Sequence, residues 1–358
     1  MKPISFGMIG GGWRAEFYMR IANQLPHLFQ VSGVYIRNPK KAELFKSKWN
    51  IPIYHTLEDL INNSNHQFIV LAIAKTNVTS TLLQLKNANV PILAETPPAT
   101  TLDELTRLYS EIDQFNHVQI AEQYMYQPMN MARLKVIESN LIGNVNHVQV
   151  SLAHGYHGVH FIRKWLGIQS EPCTIIGTRT TAPVVEGPNR YEVPTEEKLT
   201  YPFQDIALLH FEDGKTAVYD FCREQYFSPI RSNRVLIRGT KGEIISDQVN
   251  WTSSPGQYYS GMLSQKISGL GGQLAPLSLQ GIQFEGRSLY ENPFYPASLS
   301  DEEIAIAHVL SKMKAFVENG QSFYPLKEAI IDTYFSLMLE QALLSDQRVH
   351  ADFNRDML

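Results

Sequence analysis

The sequence is poor in cysteine, in long apolar runs and in clustered positive charge. Its two cysteines, Cys173 and Cys222, have neither the spacing of a metal site nor the density of a disulfide scaffold, so we expect reduced thiols. No apolar stretch is long enough to cross a bilayer, and Met1-Lys2-Pro3 leads into an apolar run without a signal-like leader. The 31 Lys and Arg residues stand against 35 Asp and Glu residues and form no long run, which argues against nucleic acid as a partner. We therefore expect a cytoplasmic protein that binds neither membranes nor nucleic acid.

The first third of the chain alternates strand-like and helix-like patterns. With 358 residues, 44% of them hydrophobic, the chain has the size of a two-domain protein. This alternation predicts a doubly wound parallel sheet of the α/β class. The predicted strands cover residues 4–9, 30–36, 51–55, 67–74, 91–95 and 118–122. Residues 67–74 (QFIVLAIA) are continuously apolar, as in a strand covered on both faces.

A glycine-rich stretch follows the first predicted strand. Gly10, Gly12 and Ala15 have the G-x-G-x-x-G/A spacing where helical periodicity begins. Gly10 permits a tight turn, Gly12 lets a pyrophosphate approach the backbone, and the helix N-terminus offers N–H groups and a partial positive charge. Glycines that only turn a strand into a helix are the alternative. The context favours a dinucleotide cradle, and we predict a Rossmann domain over residues 1–122.

Beyond Glu122 the pattern changes to a second domain of α+β type, predicted over residues 123–358. Strand-like segments with hairpin turns at 212–215 and 239–242 predict antiparallel pairs. Residues 252–297 have weak periodicity, which leaves an ordered arm, a substrate lid and an oligomer contact open. Two helices, Ser300–Asn319 and Leu326–Ser345, carry apolar stripes and can pack back toward the first domain.

Several motifs occur in the order in which one oxidoreductase family carries them. They are Gly10-Gly11-Gly12-Trp13-Arg14-Ala15, Ile73-Ala74-Lys75-Thr76-Asn77, Ala94-Glu95-Thr96-Pro97, Glu122-Gln123-Tyr124-Met125-Tyr126-Gln127-Pro128, Gly155-Tyr156-His157, IRKWLG at 162–167 and VLIRGTKGE at 235–243. Over nearly its whole length the chain resembles the glucose-fructose oxidoreductase / inositol dehydrogenase (Gfo/Idh/MocA) family. The resemblance implies a Rossmann domain, a second domain with a large, mostly antiparallel open-faced sheet, a nicotinamide cofactor, and a sugar or polyol substrate at an interdomain cleft. It also implies a homo-oligomer, a dimer or tetramer formed through the open sheet face.

The motifs and the resemblance together mark the candidate site residues. The cofactor-binding candidates are Gly10, Gly11, Gly12, Trp13, Arg14, Ile36, Arg37, Asn38, Ala74, Thr76, Asn77, Glu95 and Pro97. The substrate-binding candidates are Tyr124, Tyr126, His154 and His160, and the catalytic candidates are His157, Thr96 and Tyr156. The tyrosines could equally be domain-interface aromatics, and the histidines ordinary polar residues of a helix.

Two departures from the family pattern affect the predicted chemistry. The resemblance implies a lysine in E-K-P and an aspartate four residues before the G-x-H histidine, but Thr96 and Ala153 occupy these positions. Thr96 cannot act as a base at neutral pH. His157 can, since the unperturbed pKa of histidine is about 6.5, and we predict that it accepts the substrate proton. We predict no metal site, because no carboxylate or cysteine accompanies the three histidines.

The end of the second predicted strand bears on the choice of cofactor. NAD-preferring sites usually place an acid there for the ribose 2′-hydroxyl, whereas Ile36 fills that place and Arg37-Asn38 follow. A carboxylate would repel a 2′-phosphate, and a guanidinium can pair with it. The sequence therefore favours NADP over NAD.

Three functions are compatible with these motifs. The first is an NAD(P)-dependent oxidoreductase that acts on a CH–OH group of a sugar, a sugar derivative or a cyclic polyol. The second is a glycoside-cleaving enzyme of the same family, which oxidises its substrate transiently. The third, suggested by Thr96 and Ala153, is a catalytically impaired dinucleotide-binding regulatory protein.

Overall fold

The structure, a computed structural model, describes residues 2–62 and 65–357. They form two compact units. The first comprises Met1–Met131, Gln265–Ile282 and Tyr290–Thr333, and the second comprises Ala132–Ser264, Gln283–Leu289 and Tyr334–Leu358. Each unit consists of three separate segments of the chain. The single domain boundary predicted at residue 122 therefore stays a prediction.

The first unit is built on a parallel sheet of six strands. They are β1 (Ile4–Ile9), β2 (Phe29–Tyr35), β3 (Ile53–Tyr54), β4 (Phe68–Leu71), β5 (Ile92–Ala94) and β6 (Val118–Ile120). Their order is β3-β2-β1-β4-β5-β6, and every pairing is parallel. The order reverses between β1 and β4, which is the topological switch point where α/β sheets bind ligands. The predicted doubly wound Rossmann domain is confirmed.

Helices connect the strands of this sheet. They are α1 (Trp13–Gln24), α2 (Pro39–Trp49), α3 (Leu57–Ile61), α4 (Val78–Leu85) and α5 (Leu102–Ser110). The side chains of Asn38, Thr56 and Thr101 accept backbone N–H groups at the starts of α2, α3 and α5. Phe6 and Phe68 stack with ring centroids 5.2 Å apart and lie in a core that includes the fully buried Met8 and Val34. Among the described residues, no helix has both the length and the hydropathy to cross a bilayer.

The second unit is built on a mixed, mostly antiparallel sheet. After α6 (Pro128–Glu138) come β7 (Val145–Ser151), α7 (Gly155–Leu166), β8 (Cys173–Thr181), the short β9 (Val184–Val185) and β10 (Leu199–Thr200), β11 (Phe203–Phe211), β12 (Thr216–Cys222), β13 (Arg234–Gly239), β14 (Gly242–Ile245), β15 (Gln248–Ser254) and β16 (Gln257–Met262). The nine-stranded order is β16-β15-β14-β13-β7-β12-β11-β8-β20, in which β20 is Val349–Ala351 near the C-terminus and only β7 and β12 pair in parallel. This is the large open sheet expected of the second domain.

The remaining segments complete the chain. They are β17 (Ser264–Ser268), β18 (Ser278–Phe284), β19 (Arg287–Glu291), α8 (Asp301–Asn319), α9 (Leu326–Ser345), β20 (Val349–Ala351) and α10 (Phe353–Met357). The weakly periodic residues 252–297 thus contain strands from the end of β15 to β19. Nearly all positions of β16 and β17 are exposed. These strands therefore lack the alternation of apolar and polar residues that marks a strand with one buried face.

One face of the large sheet is buried and the other is exposed. Positions such as Ile175, Ala217 and Ile237 are at most 1% exposed. The opposite face carries a cross-strand row of mostly apolar side chains, in register order Ile176, Leu208, Val218, Gln149, Leu236 and Ile245. Ion pairs between Asp220 and Arg234 and between Arg238 and Glu243 lie on either side of the row.

Candidate functional site

The glycine stretch after β1 forms the predicted tight turn. Gly10 has a φ of +113°, and a Cβ built there would lie 2.1 Å from the carbonyl oxygen of Ala72, so only glycine fits. Gly12 is the N-cap of α1, and a Cβ built there meets no atom within 4 Å. Ala15 is fully buried in the first turn of the helix. The helix N-terminus therefore borders open space that a pyrophosphate fits, and the cradle suits a dinucleotide.

The other cofactor candidates also follow strands of the parallel sheet. Ile36, Arg37 and Asn38 follow β2, residues 74–77 follow β4, and Glu95, Thr96 and Pro97 follow β5. Since the carboxyl ends of parallel strands meet at one edge, these segments lie along the same edge as the cradle. The structure thus brings together at one edge the residues that the sequence analysis assigned to the cofactor.

The three residues that follow β2 lie in different environments. Ile36 is 9% exposed and lies against Gly11, where a Cβ would come within 2.4 Å of its Cδ1 atom. Asn38 uses its side chain to accept the backbone N–H of Lys41 at 3.1 Å, so its amide serves the helix cap. Arg37 is exposed and forms no ion pair with any residue of the described ranges. Its guanidinium is available to a ligand.

The segment after β4 is a 3₁₀ turn, Lys75–Asn77, preceded by Ala74. Ala74, Lys75, Thr76 and Asn77 are all exposed. The backbone N–H of Asn77 donates to the carbonyl of Ala74 at 2.9 Å, which closes the turn. The turn therefore offers polar side chains to the same edge as the cradle.

Arg14 and Glu95 form a buried charge network within the first unit. Arg14 Nε lies 3.5 Å from Glu95 Oε2, and its Nη1 donates to Glu302 Oε1 at 2.9 Å. Tyr18 donates its hydroxyl to Glu95 Oε1 at 2.7 Å. With its amide oxygen turned toward the guanidinium, Gln123 accepts from Arg14 Nη2 at 3.1 Å. Both oxygens of Glu95 thus have internal partners, so its side chain anchors the β5 loop to α1.

The charges of this network shift one another's pKa values. Burial alone would lower the pKa of Arg14, but Glu95 and Glu302 outweigh it and the net pKa is raised. Burial raises the pKa of Glu95, and the Arg14 guanidinium and the Tyr18 hydroxyl oppose that shift. The Arg14 guanidinium also lies 4.5 Å from the ring centroid of Trp13, which is 41% exposed. The arginine side chain is therefore enclosed, whereas the tryptophan borders the cradle entrance.

Thr96 follows Glu95 and is joined to Pro97 by a cis peptide bond. Thr96 and Pro97 are both half-buried. No charge stands at the position where the resemblance implies a lysine.

The histidine candidates lie at the start of α7 in the second unit. His154 is the exposed N-cap residue, and its Nδ1 and the hydroxyl of Tyr226 form a hydrogen bond. The His157 ring is 5.1 Å from that of His154 and 5.4 Å from that of Tyr156. His157, Tyr156 and His160 are at most 6% exposed. The start of the helix thus brings His154 and His157 together and encloses His160.

The region around α7 has two further features. The hydroxyl of Tyr219, on β12, accepts the backbone N–H of Gly155 at 2.8 Å and fixes the start of the helix. Among residues 2–62 and 65–357, no three His, Cys, Asp or Glu side chains are grouped so that they could hold a metal ion.

The substrate candidates Tyr124 and Tyr126 belong to the first unit, in a 3₁₀ turn (Tyr124–Tyr126) that follows β6. The backbone N–H of Tyr124 donates to Glu122 Oε1 at 3.1 Å. The Tyr126 ring lies near the His308 ring of α8, with centroids 6.2 Å apart and an interplanar angle of 26°. Burial, and secondly Glu122, raise the pKa of Tyr126 to about 12.

Sequence reasoning missed Tyr18, Glu302 and His308. Glu302 lies in Ser300-Asp301-Glu302-Glu303, which is indistinguishable from an ordinary acidic helix start with a capping box. Tyr18 and His308 lie in apolar helix stripes. Only the tertiary contact with a residue far away in the sequence gives each of them a role.

Residues 4–122 match the model of the GFO_IDH_MocA oxidoreductase family, described as an NAD-binding Rossmann fold. The match covers the sheet and the cradle described above. Over this range the chain is similar to the Gfo/Idh/MocA family, an NAD-binding oxidoreductase family, and the resemblance seen in the sequence is confirmed. No curated protein matches the chain.

Solved structures resemble the chain over almost its full length. An Agrobacterium radiobacter oxidoreductase in complex with NAD⁺, L-tartaric acid and magnesium is 15% identical, with a TM-score of 0.67 and 100% of both chains covered. A myo-inositol dehydrogenase from Corynebacterium glutamicum is 12% identical, with a TM-score of 0.65, covering 97% of this chain and 98% of that chain. A levoglucosan dehydrogenase in complex with NADH and levoglucosan is 16% identical, with a TM-score of 0.67, covering 98% and 100%. At these identities the likeness establishes the two-domain fold.

We expect Gly12→Val to abolish dinucleotide binding while the fold persists, because the branched side chain would fill the open space at the helix N-terminus. Calorimetric titration with NADPH and NADH measures the binding, and thermal unfolding measures the fold. Gly10→Ala is the matched contrast, since its Cβ would clash with Ala72 and should lower the melting temperature. Unchanged affinity in a folded Gly12→Val protein would show that the glycine stretch serves only as a turn.

Proposed function

We propose that the protein is an NAD(P)-dependent oxidoreductase that transfers a hydride between a nicotinamide and a CH–OH group of a sugar, a sugar derivative or a cyclic polyol. The observation that carries the proposal is the open cradle at Gly12, which borders the N-terminus of α1. Structurally similar dehydrogenases that were solved with NADH and levoglucosan or L-sorbose support this substrate class. The two free, buried cysteines suit the reducing cytoplasm as its location.

Several residues of the sheet edge would hold the dinucleotide. The backbone at Gly10–Gly12 and the N–H groups of α1 bind the pyrophosphate. Ile36 and Arg37 contact the adenosine ribose, and Ala74, Thr76 and Asn77 line the course of the cofactor toward the loop of Thr96 and Pro97. When bound, the cofactor supplies the hydride acceptor or donor.

Removal of a hydride from a secondary alcohol requires a group that accepts the hydroxyl proton. Thr96 can donate one hydrogen bond but carries no charge at neutral pH. His157 accepts the proton, and Tyr156, whose ring contacts it, helps to orient its imidazole. Tyr124, Tyr126, His154 and His160 bind substrate hydroxyls or stack on the sugar ring.

Replacing His157 by asparagine should lower kcat about a hundredfold or more, the usual contribution of a positioned base, with cofactor affinity nearly unchanged. The pH profile of alcohol oxidation should also lose a limb near the histidine pKa. Steady-state kinetics with the best substrate of a sugar and polyol panel measures both effects. His350→Asn, an exposed histidine on β20, is the matched control. Wild-type turnover in His157→Asn would place the base elsewhere, with Tyr156 or Tyr124 tested next.

NADP is the preferred cofactor in this proposal. The exposed guanidinium of Arg37 follows β2, and Ile36 stands where an NAD-preferring site presents an acid. The exposed Lys40 and Lys41 add positive charge beside Arg37. A 2′-phosphate would therefore meet donors and no carboxylate at the predicted position.

Arg37→Ala should weaken NADPH binding by about 1.5 to 3 kcal/mol, the range for a hydrogen bond to a charged group, and change NADH binding little. Titration calorimetry with both cofactors provides the comparison. Arg107→Ala removes an exposed arginine from α5 and serves as the control for net charge. Equal losses for the two cofactors would mean that Arg37 only stacks on the adenine.

A second function is favoured by Thr96 and by the buried Ala153. Both positions lack the charged groups that the family resemblance implies, as expected for a regulatory protein that binds a dinucleotide without catalysis. Binding of NADPH without turnover of any sugar or polyol would support this reading. Turnover without added cofactor would instead support the glycoside-cleaving alternative, in which a tightly held cofactor is recycled.

The exposed face of the nine-stranded sheet is the proposed contact between two copies of the chain. The row from Ile176 to Ile245 crosses six strands, and Ile176, Leu208 and Ile245 are 42 to 46% exposed. An exposed, mostly apolar band flanked by charged pairs is characteristic of an association surface.

Leu208→Glu should dissociate this oligomer, because a carboxylate buried between apolar rows costs several kcal/mol. The exposed side chain leaves the protomer fold intact. Sedimentation velocity should give a smaller species for Leu208→Glu and the wild-type species for Leu344→Glu, a matched change at the exposed Leu344 of α9. A wild-type sedimentation coefficient for Leu208→Glu would show that another surface joins the copies.

A further inference from the structure

Four rings form a cluster within the first unit, which we call the His308 cluster: Tyr126, Tyr290, Phe294 and His308. The His308 ring lies 4.9 Å from Phe294, 5.7 Å from Tyr290 and 6.2 Å from Tyr126, measured between centroids. The Tyr290 hydroxyl and His308 Nε2 form a hydrogen bond of 2.9 Å. The imidazole is therefore held in one orientation by aromatic walls and one polar contact.

His308 interrupts an apolar stretch of α8. The residues on both sides of it, from Ile304 to Ala307 and from Val309 to Leu310, are at most 2% exposed. Placing a polar ring in such surroundings costs free energy unless its polar atoms find partners. Nδ1 of His308 forms no hydrogen bond within the described part of the chain. The surrounding atoms do not enclose it completely. This nitrogen remains accessible.

The imidazole is neutral at physiological pH. Burial, and secondly the nearby Lys312, lower the pKa of His308 to about 4. A neutral imidazole offers one donor and one acceptor, and Tyr290 occupies the position at Nε2. Such a group suits an uncharged hydroxyl better than it suits a carboxylate or a phosphate.

The cluster lies beside the ligand-binding edge of the sheet. Tyr126 ends the turn that directly follows β6. The neighbouring strand ends are joined by a hydrogen bond from Ala121 N to the Ala94 oxygen, at 2.8 Å, one residue before Glu95. The His308 cluster thus adjoins the turn after β6, and β6 pairs with β5, the strand that leads into the loop of Thr96, on the side where α/β sheets bind ligands.

We propose that His308 binds a hydroxyl of the substrate through Nδ1, with the Tyr126 ring as the adjoining wall and Tyr290 holding the imidazole in place. This inference rests on the proposed function and narrows the substrate to neutral sugars and cyclic polyols. The alternative is a purely structural role, in which the hydrogen bond between His308 and Tyr290 only stabilises the packing of α8.

Three variants separate these two roles. His308→Phe keeps the aromatic packing and removes both nitrogens, His308→Asn returns a polar atom near the Nδ1 position, and Tyr290→Phe removes the hydroxyl that bonds to Nε2. The probes are neutral aldoses, ketoses and cyclic polyols, including D-glucose and myo-inositol, with NADP⁺ and NAD⁺. KM, kcat, cofactor affinity and melting temperature are measured for each protein.

We expect His308→Phe to raise KM for the best probe about tenfold, the loss of one hydrogen bond, with kcat and cofactor affinity little changed. His308→Asn should recover most of this loss, and Tyr290→Phe should raise KM less than His308→Phe does. Unchanged KM in His308→Phe, or equal effects of His308→Phe and Tyr290→Phe on KM and melting temperature, would overturn the inference. A wild-type protein that binds cofactor but oxidises no probe would refute the proposed function itself, together with this inference.

Discussion

The enclosed guanidinium of Arg14 is the constraint on which the arrangement of the first unit depends. Removing such a charge from water is costly, and the cost is offset only because Glu95 and Glu302 supply opposite charge at 3.5 and 2.9 Å. Glu95 precedes Thr96, and Glu302 lies in the first turn of α8. The Arg14 side chain of α1 therefore fixes both the loop after β5 and a helix far away in the sequence. Loss of Arg14 would remove the cation that faces the buried Glu95 carboxylate. The position of Thr96 relative to the cradle is therefore set by charge pairing as well as by packing.

The same network bears on the missing lysine. Arg14 is a cation close to the Glu95-Thr96-Pro97 loop, but its charge is committed to two carboxylates and its side chain is only 13% exposed. It therefore cannot supply the polarising charge that the family resemblance assigns to the position of Thr96. The proposed oxidation therefore needs a proton acceptor elsewhere, which is why the proposal relies on His157 of the G-x-H motif.

The sequence allowed much of the fold to be predicted where local patterns decide the structure. Strands β11 and β12 form the antiparallel pair that the hairpin turn at 212–215 predicts, and β1 and α9 match their predicted ranges as well. The polar strands β16 and β17 could not be recognised, since both of their faces carry exposed residues. In the candidate site, the cradle followed from glycine spacing. The pairing of Arg14 with Glu302 and the contact of Tyr126 with His308 join residues far apart in the chain, which no local pattern encodes.

A crystal structure of the full chain grown with NADP⁺ and the best substrate from the panel tests the central claim most directly. The account predicts the pyrophosphate over the backbone of Gly10–Gly12, the 2′-phosphate on Arg37, and the nicotinamide beside Thr96, with a substrate hydroxyl within hydrogen-bond distance of His157. A dinucleotide bound away from the glycine cradle, or a nicotinamide with no imidazole near the substrate hydroxyl, would contradict the account.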